Sequence, residues 1–238
     1  MAATPEGGPR APASAAETVA ARYPRLRYMG SKYALLPQLE RVLGDLAGVT
    51  VADPFSGSGV VSYLAHTMGR EVWASDYLAF PCVLTRATAA NDGVRLSEED
   101  LNELLGPNRD GRSYISRTYS GILFTPEDLA VLDSAWSVLA AWEGTRRDLA
   151  IASLILAAAR KQPRGVFTVT APRYPVYDDG RRHLRMTLRE HITEAARDWN
   201  RAVLDGGPRA RVRRVPVEEA PRGADVVYLD PPYAPPRD

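Results

Sequence analysis

Hydrophobic positions in the first third of the chain alternate between helical and extended spacing. Apolar residues recur three or four positions apart over 35–43, which predicts a helix that tolerates Pro37 in its first turn. Short apolar runs then predict a buried strand over 49–53, a helix over 60–68 and a second strand over 71–76. This succession of strand, helix and strand predicts a parallel sheet.

The middle of the chain has the pattern of successive helices. Three segments place a hydroxyl residue three positions ahead of a carboxylate, the signature of a helix N-terminus, and they begin at Ser97, Thr125 and Thr187. Extended spacing returns over 211–217 and 225–229. The whole pattern predicts an α/β core that is interrupted by a mostly helical insertion.

The composition is that of an ordinary globular protein. The chain has 238 residues, of which 45% are hydrophobic and 25% are charged. The longest apolar stretch, 149–159, has 11 residues, whereas a membrane-spanning helix needs about 20, so we expect no membrane span. A single cysteine, Cys82, excludes a disulfide framework and a cysteine-built metal site, and fits a reducing compartment such as the cytoplasm.

We expect four regions along the chain. Residues 1–21 are rich in alanine, proline and glycine and contain no apolar run, which predicts a loose, disordered tail instead of a targeting signal. Residues 22–92 form the first half of the core, residues 93–207 form the helical and basic insertion, and residues 208–238 return to the core.

Two loops carry candidate chemistry, and each follows a predicted strand. The first is Asp53–Gly59, in which two glycines permit a tight turn and a close approach to a ligand, and the second is Asp230–Tyr233. Open parallel sheets bind ligands at the carboxyl ends of their strands. Asp76 ends the next strand, where an acidic residue holds the ribose hydroxyls of a nucleoside cofactor, although a helix cap is the alternative interpretation.

The Asp-Pro-Pro-Tyr loop has the chemistry of an amine-binding site. The Asp230 carboxylate beside an outward proline carbonyl accepts both hydrogens of an exocyclic amino group, and the Tyr233 ring offers a stacking face for a planar base. The alternative, a simple surface turn, is disfavoured because the glycine loop follows another strand of the same predicted sheet.

In this order, the segments Tyr28–Lys32, Asp53–Gly59, Asp76 and Asp230–Tyr233 resemble the motifs of the Dam-like DNA adenine-N6 methyltransferases, the D12 class, alpha group. The resemblance extends from about Arg25 to the end of the chain and is weakest in the middle. It implies a Rossmann-like class-I methyltransferase core that uses S-adenosyl-L-methionine, with the helical insertion serving target recognition.

The resemblance also assigns roles to individual residues. Its cofactor-binding positions are Tyr28, Lys32, Asp53, Phe55, Gly57, Gly59 and Asp76. Its catalytic positions, which receive the target adenine, are Asp230, Pro231, Pro232 and Tyr233. The adenine would be turned out of the duplex, and its N6 would attack the sulfonium methyl directly while donating hydrogen bonds to the aspartate and a proline carbonyl. No metal is implied.

A basic run in the insertion predicts contacts with double-stranded DNA. Between residues 160 and 189 there are eight basic and two acidic residues, a local charge of +6 in a chain whose net charge is +1. The candidate DNA-binding residues are Arg164, Arg173, Arg181, Arg182 and Arg185. The alternative is a solvated charged face.

Two further residue types are expected to serve packing. Cys82 follows a proline, as the nucleophile of cytosine-C5 methyltransferases does, but it lies in a predicted helix over 79–90, so we expect it to be buried. His191 is expected on the apolar stripe of the helix that follows Thr187, and not as a ligand.

These features predict a site-specific, adenine-specific DNA methyltransferase of the restriction-modification type. Two alternatives stay open: a non-catalytic DNA-binding remnant or one half of a split methyltransferase, and an RNA or cytosine-N4 amino-methyltransferase. Because the family fold continues through several strands after the Asp-Pro-Pro-Tyr motif, the resemblance predicts a C-terminally truncated chain. Such a chain would be poorly soluble and nearly inactive alone, with a complementary chain as a candidate partner.

Overall fold

The computed structural model describes residues 13–26, 30–122, 124–162, 180, 182–208 and 210–233. The helices in these ranges are α1 (Ala15–Arg22), α2 (Leu36–Asp45), α3 (Val60–Thr67), α4 (Ala79–Ala87), α5 (Glu98–Leu104), α6 (Tyr114–Thr118), α7 (Pro126–Leu139), α8 (Gly144–Lys161), α9 (Arg182–Arg185) and α10 (Leu188–Ala202). The strands are β1 (Thr50–Asp53), β2 (Glu71–Asp76), β3 (Ala210–Arg214) and β4 (Val226–Val227), and short 3-10 turns lie at Lys32–Leu35 and Val217–Glu219. Within these ranges, none of the helices has the length and apolarity that crossing a bilayer requires.

The four strands form one parallel sheet in the order β3-β2-β1-β4. Val51 and Ala52 of β1 are buried and lie between β2 and β4, where Val51 pairs with Val72 on one side and with Val226 on the other. The sheet and its covering helices confirm the predicted α/β, Rossmann-like class.

The strand order reverses between β1 and β4. The chain moves from β1 outward through β2 to β3 and then returns to the opposite side of β1 as β4. In open parallel sheets such a switch point opens a crevice at the carboxyl ends of the two strands. The Asp53–Gly59 and Asp230–Tyr233 loops leave the sheet at this crevice, as the sequence predicts.

The helical segment shares one hydrophobic core with the helices that cover the sheet. The apolar stripe of α10 faces inward, and its Trp199 is fully buried, with the indole N–H donating to the Ala152 carbonyl at 2.9 Å. His191 is buried on the same stripe, which confirms its expected position. The insertion is therefore packed as part of the core and not as a separate lobe.

The predicted disordered tail is wrong for residues 15–21, which belong to α1. Ser14 caps this helix through a reciprocal capping box with Glu17, and Val19 is fully buried. Glu40 of α2 accepts hydrogen bonds from the first two amides of α1 at 2.7 and 3.1 Å. Capping and burial thus order a segment whose composition alone predicts a loose chain, while residues 1–12 lie outside the described ranges.

Helix caps agree with the sequence, whereas several element ends differ. Ser97 and Thr187 form capping boxes and Thr125 caps α7. β4 has two residues instead of the five predicted, and just ahead of it the Asp225 side chain accepts from the Val49 and Thr50 amides at 2.7 and 2.8 Å. β3 ends at Arg214, and the chain then turns toward Pro216, which cannot donate to a ladder. The predicted helix over 79–90 ends at Ala87.

Candidate active site

The loops after β1 and β4 border a cavity of about 430 Å³. The predicted site residues that line it are Lys32, Asp53, Phe55, Gly57, Asp230, Pro231, Pro232 and Tyr233. Gly59 and Asp76 are not among the lining residues, although Asp76 accepts from the amide of the lining Gly57, and Tyr28 lies outside the described residues. The topology therefore brings together side chains that are almost 200 positions apart in the sequence.

The glycine loop is held from behind by α1. The Tyr23 hydroxyl, just past the end of α1, donates to the Ser58 carbonyl at 2.6 Å. Gly59 has φ +77°, and a Cβ there would lie 2.8 Å from the Tyr23 hydroxyl oxygen and 3.1 Å from Thr85 Oγ1. Gly57 also has a positive φ, of 50°. Close packing against Tyr23, and not ligand approach, is therefore what requires glycine at position 59.

Asp53 is a buried carboxyl group whose two oxygens differ in their contacts. The Ser62 hydroxyl donates to Asp53 Oδ2 at 2.6 Å, whereas Oδ1 is buried with no protein hydrogen bond among the described residues. Burial raises the pKa of this carboxyl to about 6, although the Ser62 hydroxyl and the Phe55 amide oppose the shift. An acceptor of this kind at the cavity wall favours a ligand that carries a hydrogen-bond donor.

Both carboxylate oxygens of Asp76 accept hydrogen bonds from backbone amides. Oδ2 accepts from the Gly57 amide at 3.0 Å and Oδ1 accepts from the Leu78 amide at 2.9 Å, which ties the end of β2 to the glycine loop and to the start of α4. The N-terminus of α4 has no side-chain cap, so Asp76 forms a local turn ahead of the helix instead of the cap that was the alternative interpretation, and a role with ribose is a proposal. Cys82 is buried in α4, and burial raises its thiol pKa, in line with its expected packing role.

Lys32 and the Asp-Pro-Pro-Tyr loop form one cluster. The Lys32 ammonium forms an ion pair with Asp230 Oδ2, donates to the Gly30 carbonyl at 2.8 Å and lies 5.4 Å from the centre of the Tyr233 ring. The Tyr233 hydroxyl donates to Asp230 Oδ1 at 3.3 Å. Desolvation lowers the Lys32 pKa, but hydrogen bonds to the side chains of Asp230 and Tyr233 outweigh it, so the net shift is upward.

Two comparisons with known proteins agree with this geometry. Residues 28–115 match a family model described as D12 class N6 adenine-specific DNA methyltransferase. The chain is also similar to the Type II methyltransferase M2.HphI of Haemophilus parahaemolyticus, with 28% identity over 227 residues. Over residues 28–115 the chain is thus similar to the D12-class adenine methyltransferases.

The match to the Haemophilus methyltransferase covers 89% of this chain and 66% of that protein, so the chain spans slightly less than two thirds of the length of this relative. No solved structure matches the chain. The D12-class family model covers the glycine loop and Asp76, whereas Asp230–Tyr233 lies outside it.

Several residues that line or support the cavity are not predicted from the sequence. Tyr228 lines the cavity, and burial, reinforced by the negative charge of Asp230, raises its pKa to about 12. The sequence contains a signal for Tyr228, because residues two apart in an extended strand face the same side and Tyr228 precedes Asp230 by two positions. Ser31 also lines the cavity, 3.4 Å from the Ser58 hydroxyl. The position of Tyr23 depends on α1, whose sequence signal is the capping box between Ser14 and Glu17.

The predicted DNA-binding residues are only partly described. Arg164, Arg173 and Arg181 lie outside the described residues. Arg185 is exposed, and Arg182 is exposed but forms an ion pair with Glu194 at 2.5 Å. Both border the region in which α10 begins.

Part of the basic run is committed to internal contacts. Arg160 pairs with Asp198 at 2.5 Å, Lys161 is buried and donates to the Met186 carbonyl at 2.6 Å, and Arg189 donates to the Leu105 carbonyl. The local charge of +6 counted from the sequence therefore overstates the charge that faces solvent.

Proposed function

We propose that this chain binds S-adenosyl-L-methionine and transfers a methyl group to N6 of adenine in double-stranded DNA, within a restriction-modification pair. The observation that carries the proposal is the shared cavity, in which a buried acceptor on one wall faces an Asp-Pro-Pro-Tyr loop on the other. The two relationships to DNA methyltransferases support it.

The residues of the glycine-loop wall fit the cofactor. A cavity of about 430 Å³ lies in the usual range of roughly 300–1,000 Å³ for small-molecule sites. Asp53 Oδ1 is a buried acceptor that suits the ammonium of an amino acid group, and Lys32 is a cation that suits its carboxylate. When bound, the cofactor supplies an electrophilic methyl group on a sulfonium. We assign Asp76 to the ribose through lone pairs that its two amide contacts leave free.

The opposite wall suits an exocyclic amine on a planar base. Asp230 accepts hydrogen bonds, and the Tyr233 ring is 75% exposed, so its face is open to stacking by a base that has left the duplex. Acceptors at the amine favour a pyramidal nitrogen with a free lone pair and stabilise the charge that develops on it. Holding the amine in line with the methyl group contributes through positioning.

We assign DNA recognition to the helical segment. The exposed Arg182 and Arg185 are its described candidates. The single cysteine suits action in the reducing cytoplasm.

The test is methyl transfer from labelled S-adenosyl-L-methionine to duplex DNA of random sequence, with the product nucleoside identified by mass spectrometry. We expect N6-methyladenine to be the product of whatever transfer the chain performs, and Asp230→Ala should abolish that transfer. Asp45→Ala, an exposed acidic residue of α2, is the matched control and should leave transfer unchanged.

Two outcomes would contradict the proposal. N4-methylcytosine, or transfer to RNA and not to DNA, would replace the substrate. Tight binding of duplex DNA without any transfer would favour the non-catalytic alternative.

A further inference from the structure

The ammonium of Lys32 stands where the proposed function requires the amine of the target base. It donates to Asp230 Oδ2 and lies beside the Tyr233 ring, with 5.4 Å between the nitrogen and the ring centre. A substrate amino group would use the same carboxylate and the same ring. Asp230 Oδ1 is also engaged, by the Tyr233 hydroxyl, so the carboxylate has a partner on each oxygen.

The pair lies between the surface and the interior. The Lys32 side chain is 14% exposed and that of Asp230 is 20% exposed. An ion pair at this depth holds its partners more firmly than a surface pair, yet water reaches it and an exchange of partners is accessible.

Lys32 is also the one cation among the described residues that line the cavity, which contains two carboxyl groups, Asp53 and Asp230. A ligand that brings a carboxylate into the cavity therefore competes with Asp230 for a single ammonium. Lys32 thus links the binding of such a ligand to the state of Asp230, and the link is reciprocal: whatever weakens the hold of Asp230 on Lys32 strengthens the hold of the ligand carboxylate.

Resting on the proposed function, we propose that Lys32 is a positioning residue that covers Asp230 while no base is bound and uncovers it by exchanging Asp230 for the carboxylate of the cofactor. Cofactor binding and base binding are then coupled through one side chain. Asp230 becomes available to an amine only when the cofactor is in place.

The resting pair is tested by chemical labelling, because the chain has only two lysines, Lys32 and the buried Lys161. Acylation of each lysine by an amine-reactive reagent is followed by peptide mass spectrometry. Asp230→Asn should raise the labelling rate of Lys32 by up to about fivefold and leave that of Lys161 unchanged. Equal Lys32 rates in the two proteins would overturn the resting pair.

The exchange is tested by calorimetric binding of S-adenosyl-L-methionine. Asp230→Asn should bind it several-fold more tightly than the unsubstituted protein, because Lys32 is released. Lys32→Met should bind it more weakly, and Asp230→Asn should then bring no further gain in the Lys32→Met background. A purely structural role for Asp230 predicts weaker or unchanged binding, which would overturn the exchange.

A matched ligand and a matched variant sharpen the result. 5′-Methylthioadenosine lacks the carboxylate, so its affinity should be the same with and without Asp230→Asn. Asp45→Asn should behave as the unsubstituted protein with both ligands. If S-adenosyl-L-methionine binds no form of the protein, the proposed function and the exchange step fail together, whereas the labelling experiment still decides the resting pair.

Discussion

The two walls of the cavity are built in different ways. The glycine-loop wall is buried: Asp53 is 1% exposed and accepts from the Ser62 hydroxyl. Asp76 accepts from the Gly57 amide of this wall, and the Tyr23 hydroxyl donates to its Ser58 carbonyl. The Asp-Pro-Pro-Tyr wall follows a two-residue strand and ends at the exposed Tyr233. Packing therefore holds the glycine-loop wall, whereas polar contacts between exposed or half-exposed side chains hold the Asp-Pro-Pro-Tyr wall.

The sheet explains this difference. β1 pairs with a strand on each side, and all four of its residues pair with β2. β4 pairs only with β1 among the described strands, through two residues. Side-chain contacts therefore hold β4 in place where β2 is held by a longer ladder of backbone hydrogen bonds. Asp225 bonds to β1 at the start of β4, and the ion pair between Lys32 and Asp230 holds the loop after it.

The largest expected effect is on the glycine-loop wall. Gly59→Ala should lower the free energy of unfolding by about 2–5 kcal/mol, because the left-handed backbone and the contact with the Tyr23 hydroxyl both resist a Cβ. Gly69→Ala is the matched control, since its φ of +82° is similar but no atom lies within 4 Å of a Cβ. It should lower stability by only about 1–2 kcal/mol. If urea denaturation gave equal losses of stability for the two variants, the Tyr23 and Thr85 side chains would have moved to accommodate the new Cβ, which would contradict the prediction.

The buried Asp53 should make stability depend on pH. Its folded pKa of about 6 lies above the ordinary 3.8, so the folded state binds the proton more tightly than the unfolded chain. Protonated Asp53 therefore adds to the free energy of unfolding. This contribution is complete below about pH 4 and is lost as the pH rises through 6, by at most about 3 kcal/mol. Asp53→Asn has no titrating group at this position, so the free energy of unfolding of the variant should rise relative to that of the unsubstituted protein as the pH increases from 4 to 7. Parallel stability profiles from pH 4 to 7 would contradict the assignment.

The smallest effect compares one hydroxyl on each wall. Tyr23→Phe removes a buried 2.6 Å hydrogen bond and should lower stability by about 1 kcal/mol. Tyr233→Phe removes an exposed 3.3 Å contact and should change stability by less than about 0.5 kcal/mol. Denaturant midpoints of the two variants measure the difference directly, and a reversed order would break the comparison between the walls.

Local chemistry made much of the fold predictable. The bounds of β2 and the caps at Ser97, Thr125 and Thr187 could be predicted because each depends on residues a few positions apart. The positions of the two site loops followed from the rule that parallel strands end at one edge.

Contacts between distant residues could not be predicted in this way. The ion pair between Lys32 and Asp230 joins residues 198 positions apart, and the internal use of Arg160 and Lys161 depends on where α10 packs. The support of Gly59 by Tyr23 required α1, whose burial a composition rich in alanine and proline conceals. Charge counting failed for a related reason, since it takes no account of which charges already have internal partners.

The hydrogen bond from the Thr50 amide to Asp225 can form only after the ribosome has synthesised both residues. Its two residues are 175 positions apart, so at about 5–20 residues per second the ribosome delivers Asp225 roughly 9–35 s after Thr50. During that interval one edge of β1 has no neighbour and is open to pairing with another nascent chain. Codon changes that slow translation between these residues should therefore lower the soluble yield without altering a single amino acid.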